Sequence, residues 1–251
     1  MFTEEFWKYF FEIYEDLPRQ GPGDRESTER ALAMLPPLGA NLRILDIGCG
    51  TGTQTIDLAR ATAARIVAVD SHAPFIARLQ KSAEALGLAR RITASVGDMN
   101  DLRFPDGSFD VLWSEGAIFI IGFQKGLAAW RRLLVPGGHL VVSDFCWFCE
   151  SPPAELREFF LDDSPDVGGV AIRRKAVAEA GYRLVGDFPL PERGWWENYH
   201  VPLAVRLERF RHDHAGEPEA LAVAEHCQRE IDLFRKHRGL YGYVFFVMRA
   251  E

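Results

Sequence analysis

Ile44-Leu45-Asp46-Ile47-Gly48-Cys49-Gly50-Thr51-Gly52-Thr53 is an apolar run carrying one acid. It turns through three alternate glycines and opens into a helical pattern over residues 54–63. Such a run reads as a buried parallel strand, a tight turn and a helix start. Glycines at 48, 50 and 52 let a ligand approach the backbone closely, and they are expected to free amides near the helix N-terminus to point at it. A small-molecule site at the carboxyl end of a first strand follows as the leading expectation.

Downstream, strand and helix patterns alternate. Residues 65–69 are β-branched and end at Asp70. Ser71 and Pro74 signal a helix start, and Phe75, Leu79, Ala83 and Leu86 make one helical face that stops at Gly87. Residues 91–96 form a third strand leading to Gly97-Asp98-Met99, and Pro105-Asp106-Gly107 turns into a fourth, 109–113. A helix is expected over 123–134. Pro136-Gly137-Gly138 is expected to break it sharply before a fifth strand, 139–143, ending at Asp144. Strands separated by helical patterns imply a parallel, doubly wound α/β sheet that binds ligands beyond its carboxyl edge.

The flanks differ. Residues 2–17 form an amphipathic helix with Phe2, Phe6, Phe10, Ile13 and Leu17 on one face, and Pro18 ends it. The turn-rich Arg19-Gln20-Gly21-Pro22-Gly23 either connects to a helix over 24–35 or folds over a cofactor. After a helix at 170–180 and a strand at 182–188, a helical insertion (202–211 and 217–238) precedes the last strand, 241–249. Acids in the first turn of its second helix, bases in its last and Gly239 beyond agree with the helix dipole and a C-terminal cap. That insertion is placed over the sheet edge as a lid. Arg173-Arg174-Lys175 reads as a solvated helix face, and His212 and His214 as an exposed turn without a partner.

The chain has 251 residues, 47% of them hydrophobic, enough to bury a full core. A net charge of −7 argues against a nucleic-acid binder, which carries a basic face. No apolar run reaches the roughly 18–20 residues of a membrane span. Glu4, Glu5 and Glu12 exclude a targeting peptide, and four cysteines outside any secretory framework suit the cytoplasm.

Three acids narrow the ligand. Asp46 stands inside the first strand. Asp70 ends the second, where it can accept from ribose hydroxyls. Asp98 follows the third, where its carboxylate and the Met99 amide can read an adenine edge. The set suits an adenosine with a cationic, amino-acid-like tail and offers no arginine for a pyrophosphate. Here the sequence resembles the class I S-adenosylmethionine-dependent methyltransferases. Leu45–Gly52 matches their glycine motif; Val69-Asp70, Gly97-Asp98-Met99, Ser108–Trp113 and Leu134–Leu140 match later motifs in order. More narrowly, Arg19–Gly23, Trp113–Ile118 and Tyr241-Gly242-Tyr243 look like a bacterial and archaeal subgroup of unassigned substrate, related to quinone and sterol C-methyltransferases. The resemblance implies a Rossmann-like seven-stranded sheet, its last strand antiparallel beside the fifth, under a helical cap. It places one domain over 1–251, with core 41–189 plus 240–251 and cap 1–40 plus 190–239.

The resemblance also implies residue roles. Gly48, Gly50 and Gly52, with Cys49 and Gln54, shape the loop under the methionine moiety. Asp46 orders that loop or meets the amino group through water. Asp70 and Ser71 hold the ribose, Asp98 and Met99 flank the adenine, and Ser114 faces the methyl donor. Gln20 and Gly21 are counted with the cofactor site. Methyl transfer from a sulfonium is an in-line displacement from an excellent leaving group, so alignment and exclusion of water dominate. No metal is expected, and a general base is needed only if the acceptor must lose a proton.

Glu115 and His200 are the candidate catalytic residues. Their bland alternatives are an ion pair with Arg19 and lid packing with a surface histidine. Tyr14, Trp195, Trp196, Tyr199 and Tyr241 are candidates for the acceptor pocket, with core packing the alternative. Cys146 and Cys149 read as packing residues; with Cys227 they suggest trivalent arsenic only as a distant acceptor.

The expected function is transfer of a methyl group from S-adenosylmethionine, leaving S-adenosylhomocysteine, to a small-molecule acceptor held under the lid. Alternatives are a quinone-like ring carbon as acceptor, a non-catalytic S-adenosylmethionine-binding or sensing protein, and a nicotinamide oxidoreductase. The first helix is left to pack on its own domain or in a homodimer.

Overall fold

The computed structural model describes residues 3–37, 39, 41–163 and 168–251. Phe2, assigned above to the first helix face, lies outside them. The elements run α1 (Glu4–Glu15), α2 (Arg25–Ala33), β1 (Arg43–Ile47), α3 (Thr53–Ala61), β2 (Arg65–Asp70), α4 (Ala73–Ala85), β3 (Ile92–Val96) and β4 (Phe109–Glu115). There follow α5 (Phe123–Trp130), β5 (Leu134–Trp147), α6 (Ala154–Asp163), β6 (Gly168–Gly169), α7 (Val170–Glu179) and β7 (Tyr182–Pro189). The chain closes with α8 (Glu192–Trp195), a π-helical turn (Trp196–His200), α9 (Val201–Asp213), α10 (Pro218–Lys236) and β8 (Tyr241–Ala250).

The strands lie in the order β3-β2-β1-β4-β5-β8-β7, with β6 beside β5. Neighbours among β1–β5 pair in parallel, and β8 runs antiparallel to both β5 and β7. The sheet is the expected α/β one with its last strand antiparallel next to β5. The two-residue β6 makes it eight strands rather than seven, since Gly168-Gly169 carries no pattern that reads as a strand. Helix α6 was likewise not expected. Strand β1 is buried on both faces: Ile44 packs into one core layer, Leu45 and Ile47 into the other. That explains its continuous apolar run.

Two expectations are corrected here. Pro136-Gly137-Gly138 does not separate a helix from a strand. Helix α5 stops at Trp130 in a 3₁₀ turn (Arg131–Leu133), and β5 begins at Leu134 and runs through the Pro-Gly-Gly. Pairing with β8 starts only at His139, so Pro136 lacks no ladder hydrogen bond. Opposite it, β4 shifts register between Phe109 and Val111. Arg173 does not lie on a solvated face either. It is 2% exposed and its Nε meets Asp144 Oδ2 at 2.8 Å. Only Arg174 and Lys175 point outward; Arg174 pairs with Asp187.

Helices α1, α9 and α10 build a third core from Ile13, Leu17, Leu203, Leu207, Phe210 and Ile231. This cap is fastened to the sheet edge at several points. Phe11 stacks on His72 with ring centroids 4.0 Å apart, and His72 Nε2 lies 2.6 Å from Glu15 Oε1. His214, expected to lack a partner, sits 2.7 Å from Glu12 and 3.1 Å from Glu217, joining the ends of α1, α9 and α10. Of the apolar face assigned to the first helix, Ile13 and Leu17 are buried within the chain, while Phe6 and Phe10 are half-buried.

Candidate active site

The carboxyl ends of β1–β4 and the underside of the cap enclose a cavity of about 510 Å³, a volume ordinary for a small-molecule site. The sheet side supplies Gly48, Cys49, Gly50 and Gln54 from β1 and α3. It adds Asp70 and Ser71 after β2, Asp98 and Met99 after β3, and Glu115 after β4. Gln20 and Gly21 close one side, while Tyr14, Trp195 and Tyr199 come from the cap.

The remaining candidates stand behind this wall. Asp46 is fully buried under the turn. Ser114 donates to Ile47 O at 2.8 Å. Gly52 caps α3 with φ +82°, and a Cβ there would fall 2.2 Å from Leu79. Tyr241 stacks on Phe145, and Trp196 is covered by the guanidinium groups of Arg235 and Arg238. His200 is fully buried, not a surface histidine, and packs between Phe234 and Tyr199. Cys146 lies in the core, where burial pushes its thiol up to about 12. Among the described residues no group of three His, Cys, Asp or Glu side chains is placed to hold a metal ion, so Cys146, Cys149 and Cys227 form no trithiolate site.

The glycine turn corrects one expectation. Its amides are not free. Gly48 and Cys49 N–H both donate to Val69 O, at 2.8 and 3.1 Å. Gly50 N–H donates to Asp70 Oδ2 at 2.9 Å, Thr51 N–H to Gln20 Oε1 at 2.9 Å, and Gly52 N–H to Cys49 O at 2.9 Å. A pyrophosphate would find no unused donor in this turn. Gly50 has φ +54°, and a Cβ there would lie 2.6 Å from Gln20 Oε1. The glycine thus admits Gln20, whose Nε2 donates in turn to Tyr14 O and Leu17 O, both at 3.2 Å. Through Gln20 the N-terminal segment is locked onto the turn.

Glu115 is heavily engaged. Its Oε1 accepts from Thr28 Oγ1 at 2.7 Å and Trp113 Nε1 at 2.9 Å; its Oε2 accepts from Arg19 Nη1 at 3.3 Å. With three donors converging on it, this carboxylate ties α2 and the Arg19 loop to β4 and sets Arg19 into the wall. On the cap side a second polar chain is built. Tyr14 and Tyr199 hydroxyls meet at 2.8 Å, Tyr199 Oη donates to Glu230 Oε2 at 3.1 Å, and His200 Nε2 lies 3.2 Å from Glu230 Oε1. Burial pushes both phenols well above their ordinary value, so they remain neutral donors. Glu230 was not among the expected site residues. The signal was present: Cys227, Glu230, Ile231 and Phe234 share the i, i+3, i+4, i+7 stripe of α10, and one of them is an acid.

Asp46 carries a pH dependence. Burial raises its carboxyl to about 7, against a favourable hydrogen bond from Thr55 Oγ1 at 2.5 Å. In the unfolded chain it ionises near its ordinary value of about 4. Between those limits the native state holds a proton the unfolded state lacks. Its contribution to stability is therefore full below about pH 4, falls as pH rises towards 7, and is flat above. Asp46→Asn keeps an acceptor for Thr55 and removes the titration. Relative to wild type, it is expected to gain on the order of 2–4 kcal/mol at pH 8 and little at pH 4. Urea unfolding at the two pH values checks this; parallel stability curves would refute it.

Comparison with known proteins agrees with this geometry. The family described as "Methyltransferase domain" matches residues 44–138. Demethylmenaquinone methyltransferase of Thermus thermophilus is 33% identical over 176 residues, covering 67% of this chain and 74% of that enzyme. Phosphoethanolamine N-methyltransferase 1 of Arabidopsis thaliana is 28% identical over 56% of this chain, which spans only 28% of that protein. Among solved structures, a methyltransferase from Geobacter sulfurreducens in complex with S-adenosyl-L-homocysteine superposes with a TM-score of 0.84 at 21% identity. The match covers 97% of this chain and 98% of that one, and establishes the shared fold. The chain belongs to the class I S-adenosylmethionine-dependent methyltransferases.

Proposed function

We propose that the protein transfers the methyl group of S-adenosylmethionine to a small acceptor enclosed beneath the cap. The observation that carries this reading is one cavity reaching from the glycine turn to the cap helices. Asp70 and Ser71 would take the ribose, Asp98 and Met99 the adenine, and Gly48, Cys49 and Gly50 the methionine backbone. Asn100 donates to Asp98 Oδ1 from its amide at 2.8 Å and its side chain at 3.0 Å, holding that carboxyl below its ordinary value. Arg19 lines the cavity and its Nη2 has no hydrogen bond, only a 3.7 Å approach to Asp57. It is the natural partner for the carboxylate of the donor's amino-acid tail. Calorimetric titration with S-adenosylmethionine and S-adenosylhomocysteine tests the reading; absence of binding by both would overturn it. Binding without turnover of any acceptor would favour a sensing role.

A quinone-like ring is a second reading for the acceptor, supported by the name of the Thermus relative. Trp7 and Ile120 line the cavity and are 43% and 62% exposed. They make an apolar mouth suited to a hydrophobic molecule.

A further inference from the structure

The cap side of the cavity has a chemistry of its own. Phe6, Phe10, Phe159 and Phe160 contribute rings, with Phe10 stacked on Tyr14 at 4.1 Å and Phe159 on His226 at 4.9 Å. Among this apolar surface stands one carboxylate, Glu230. Among the described residues four carboxylates line the cavity, and three of them belong to the sheet side: Asp70, Asp98 and Glu115. Glu115 already faces Arg19. Among the described residues Arg19 is the only lysine or arginine on the wall, and it is held on the sheet side by Asp57 and Glu115. Among the described residues no lysine or arginine is paired with Glu230. Its carboxylate meets the Tyr199 hydroxyl and His200 Nε2.

His200 is fully buried and its Nδ1 has no partner. The Nε2–H tautomer fits best, since a proton on Nδ1 would leave a buried donor unsatisfied. Tyr199 and His200 then hold both oxygens of Glu230 in place while its side chain keeps 18% of its surface open. A carboxylate fixed in this way within aromatic walls accepts a hydrogen-bond donor well. It repels an anionic head group, for which the described residues of this wall provide no lysine or arginine.

We propose that Glu230 is the acceptor-reading residue: the methyl acceptor is an apolar molecule that presents an N–H or O–H group to the Glu230 carboxylate. This rests on the methyltransferase reading above. As the acceptor heteroatom forms its bond to the methyl carbon, the carbon–sulfur bond breaks and its electron pair stays on sulfur. The proton of the N–H or O–H passes to Glu230 and later to solvent. S-Adenosylmethionine and the acceptor become S-adenosylhomocysteine, the methylated acceptor and one proton. Acceptors carrying phosphate or carboxylate are disfavoured.

Four probes with one apolar body test the head group: 2-naphthol, 2-(2-naphthyl)ethylamine, 2-naphthoate and 2-methoxynaphthalene. Binding to the full-length protein is measured by calorimetry with and without S-adenosylhomocysteine. Turnover is read as methylated product by mass spectrometry. The phenol or the amine is expected to bind about tenfold or more tightly than the anion and the ether, and which of the two wins assigns oxygen or nitrogen. Glu230→Gln is expected to erase that preference and cut turnover about 100-fold, with S-adenosylhomocysteine affinity unchanged. Glu230→Asp, which keeps the carboxylate, is expected to retain the preference and guards against a folding defect in the first variant. Equal binding of all four probes, binding of none, or wild-type turnover by Glu230→Gln would overturn the proposal. Loss of S-adenosylhomocysteine binding by the wild type would instead overturn the methyltransferase reading, with the head-group preference still read in its absence.

Discussion

Asp144→Ala is expected to cost the protein about 3–5 kcal/mol of folding stability. Asp144 sits on β5 with no exposure, and Arg173 reaches it from α7 with 2% exposure. Their contact is 2.8 Å, and the Arg173 guanidinium also lies 4.7 Å over the Phe123 ring. Removing the carboxylate takes a close opposite charge away from a permanently charged guanidinium in a site closed to water. A loss of that size is a large share of a stability of about 5–15 kcal/mol. It should appear as a lowered urea midpoint with a largely unchanged slope. The double substitution Asp144→Leu/Arg173→Met removes both charges and should recover most of the loss, because a buried pair contributes little over packed apolar groups. A single variant within about 1 kcal/mol of wild type would show that water or another group takes over from Asp144.

That pair also shows where a linear reading runs out. Arg173, Arg174 and Lys175 look alike in sequence, and nothing local tells which of three adjacent cations turns inward. Asp144 reads in sequence as the end of a strand over 139–143, whereas β5 runs on through it to Trp147; Arg173 was legible as part of a helix, and only the packing of α7 on the sheet joins the two. The first part of the sheet was legible, since β1, β2 and β4 are short, mainly apolar runs that end at or just before an acid or a glycine. Residues 182–188 and 241–249 were legible as strands too, each one residue short of the observed β7 and β8, their adjacency coming from resemblance rather than pattern. Elements without periodicity were missed: the two glycines of β6, helix α6 and the π-helical turn that carries Tyr199 and His200. The site divides the same way. Gly48, Gly50, Asp70, Asp98 and Met99 are local features of strand ends, and all of them line the cavity. Glu230 lies more than 100 positions from those strand ends and meets them only through the cap fold. The free amides expected of the glycine turn failed for a tertiary reason. Gln20, Asp70 and the end of β2 arrive from elsewhere and occupy the donors.

Asp70→Ala is expected to weaken S-adenosylhomocysteine binding about 10- to 100-fold, the effect of one charge-assisted hydrogen-bonded pair or somewhat more. Asp70 does two things in the unliganded chain: Oδ2 accepts from Gly50 N–H and Oδ1 from His72 N–H, each at 2.9 Å. Alanine therefore removes a proposed ribose acceptor and also loosens the turn beneath the donor. An S-adenosylhomocysteine analogue lacking the ribose hydroxyls separates the two effects. Wild type should lose affinity for the analogue, and Asp70→Ala should bind the analogue and the natural ligand nearly alike, since the group they differ by no longer has a partner. If Asp70→Ala weakens both ligands by the same factor, the residue acts only through the turn. The carboxylate form is the one that accepts from a hydroxyl pair, and burial raises the Asp70 carboxyl above its ordinary value. Wild-type affinity should therefore fall as pH drops through the acidic range, a fall that Asp70→Asn, which has no proton to take up, should lack. A pH dependence that survives in Asp70→Asn would place the titrating group elsewhere on the cavity wall.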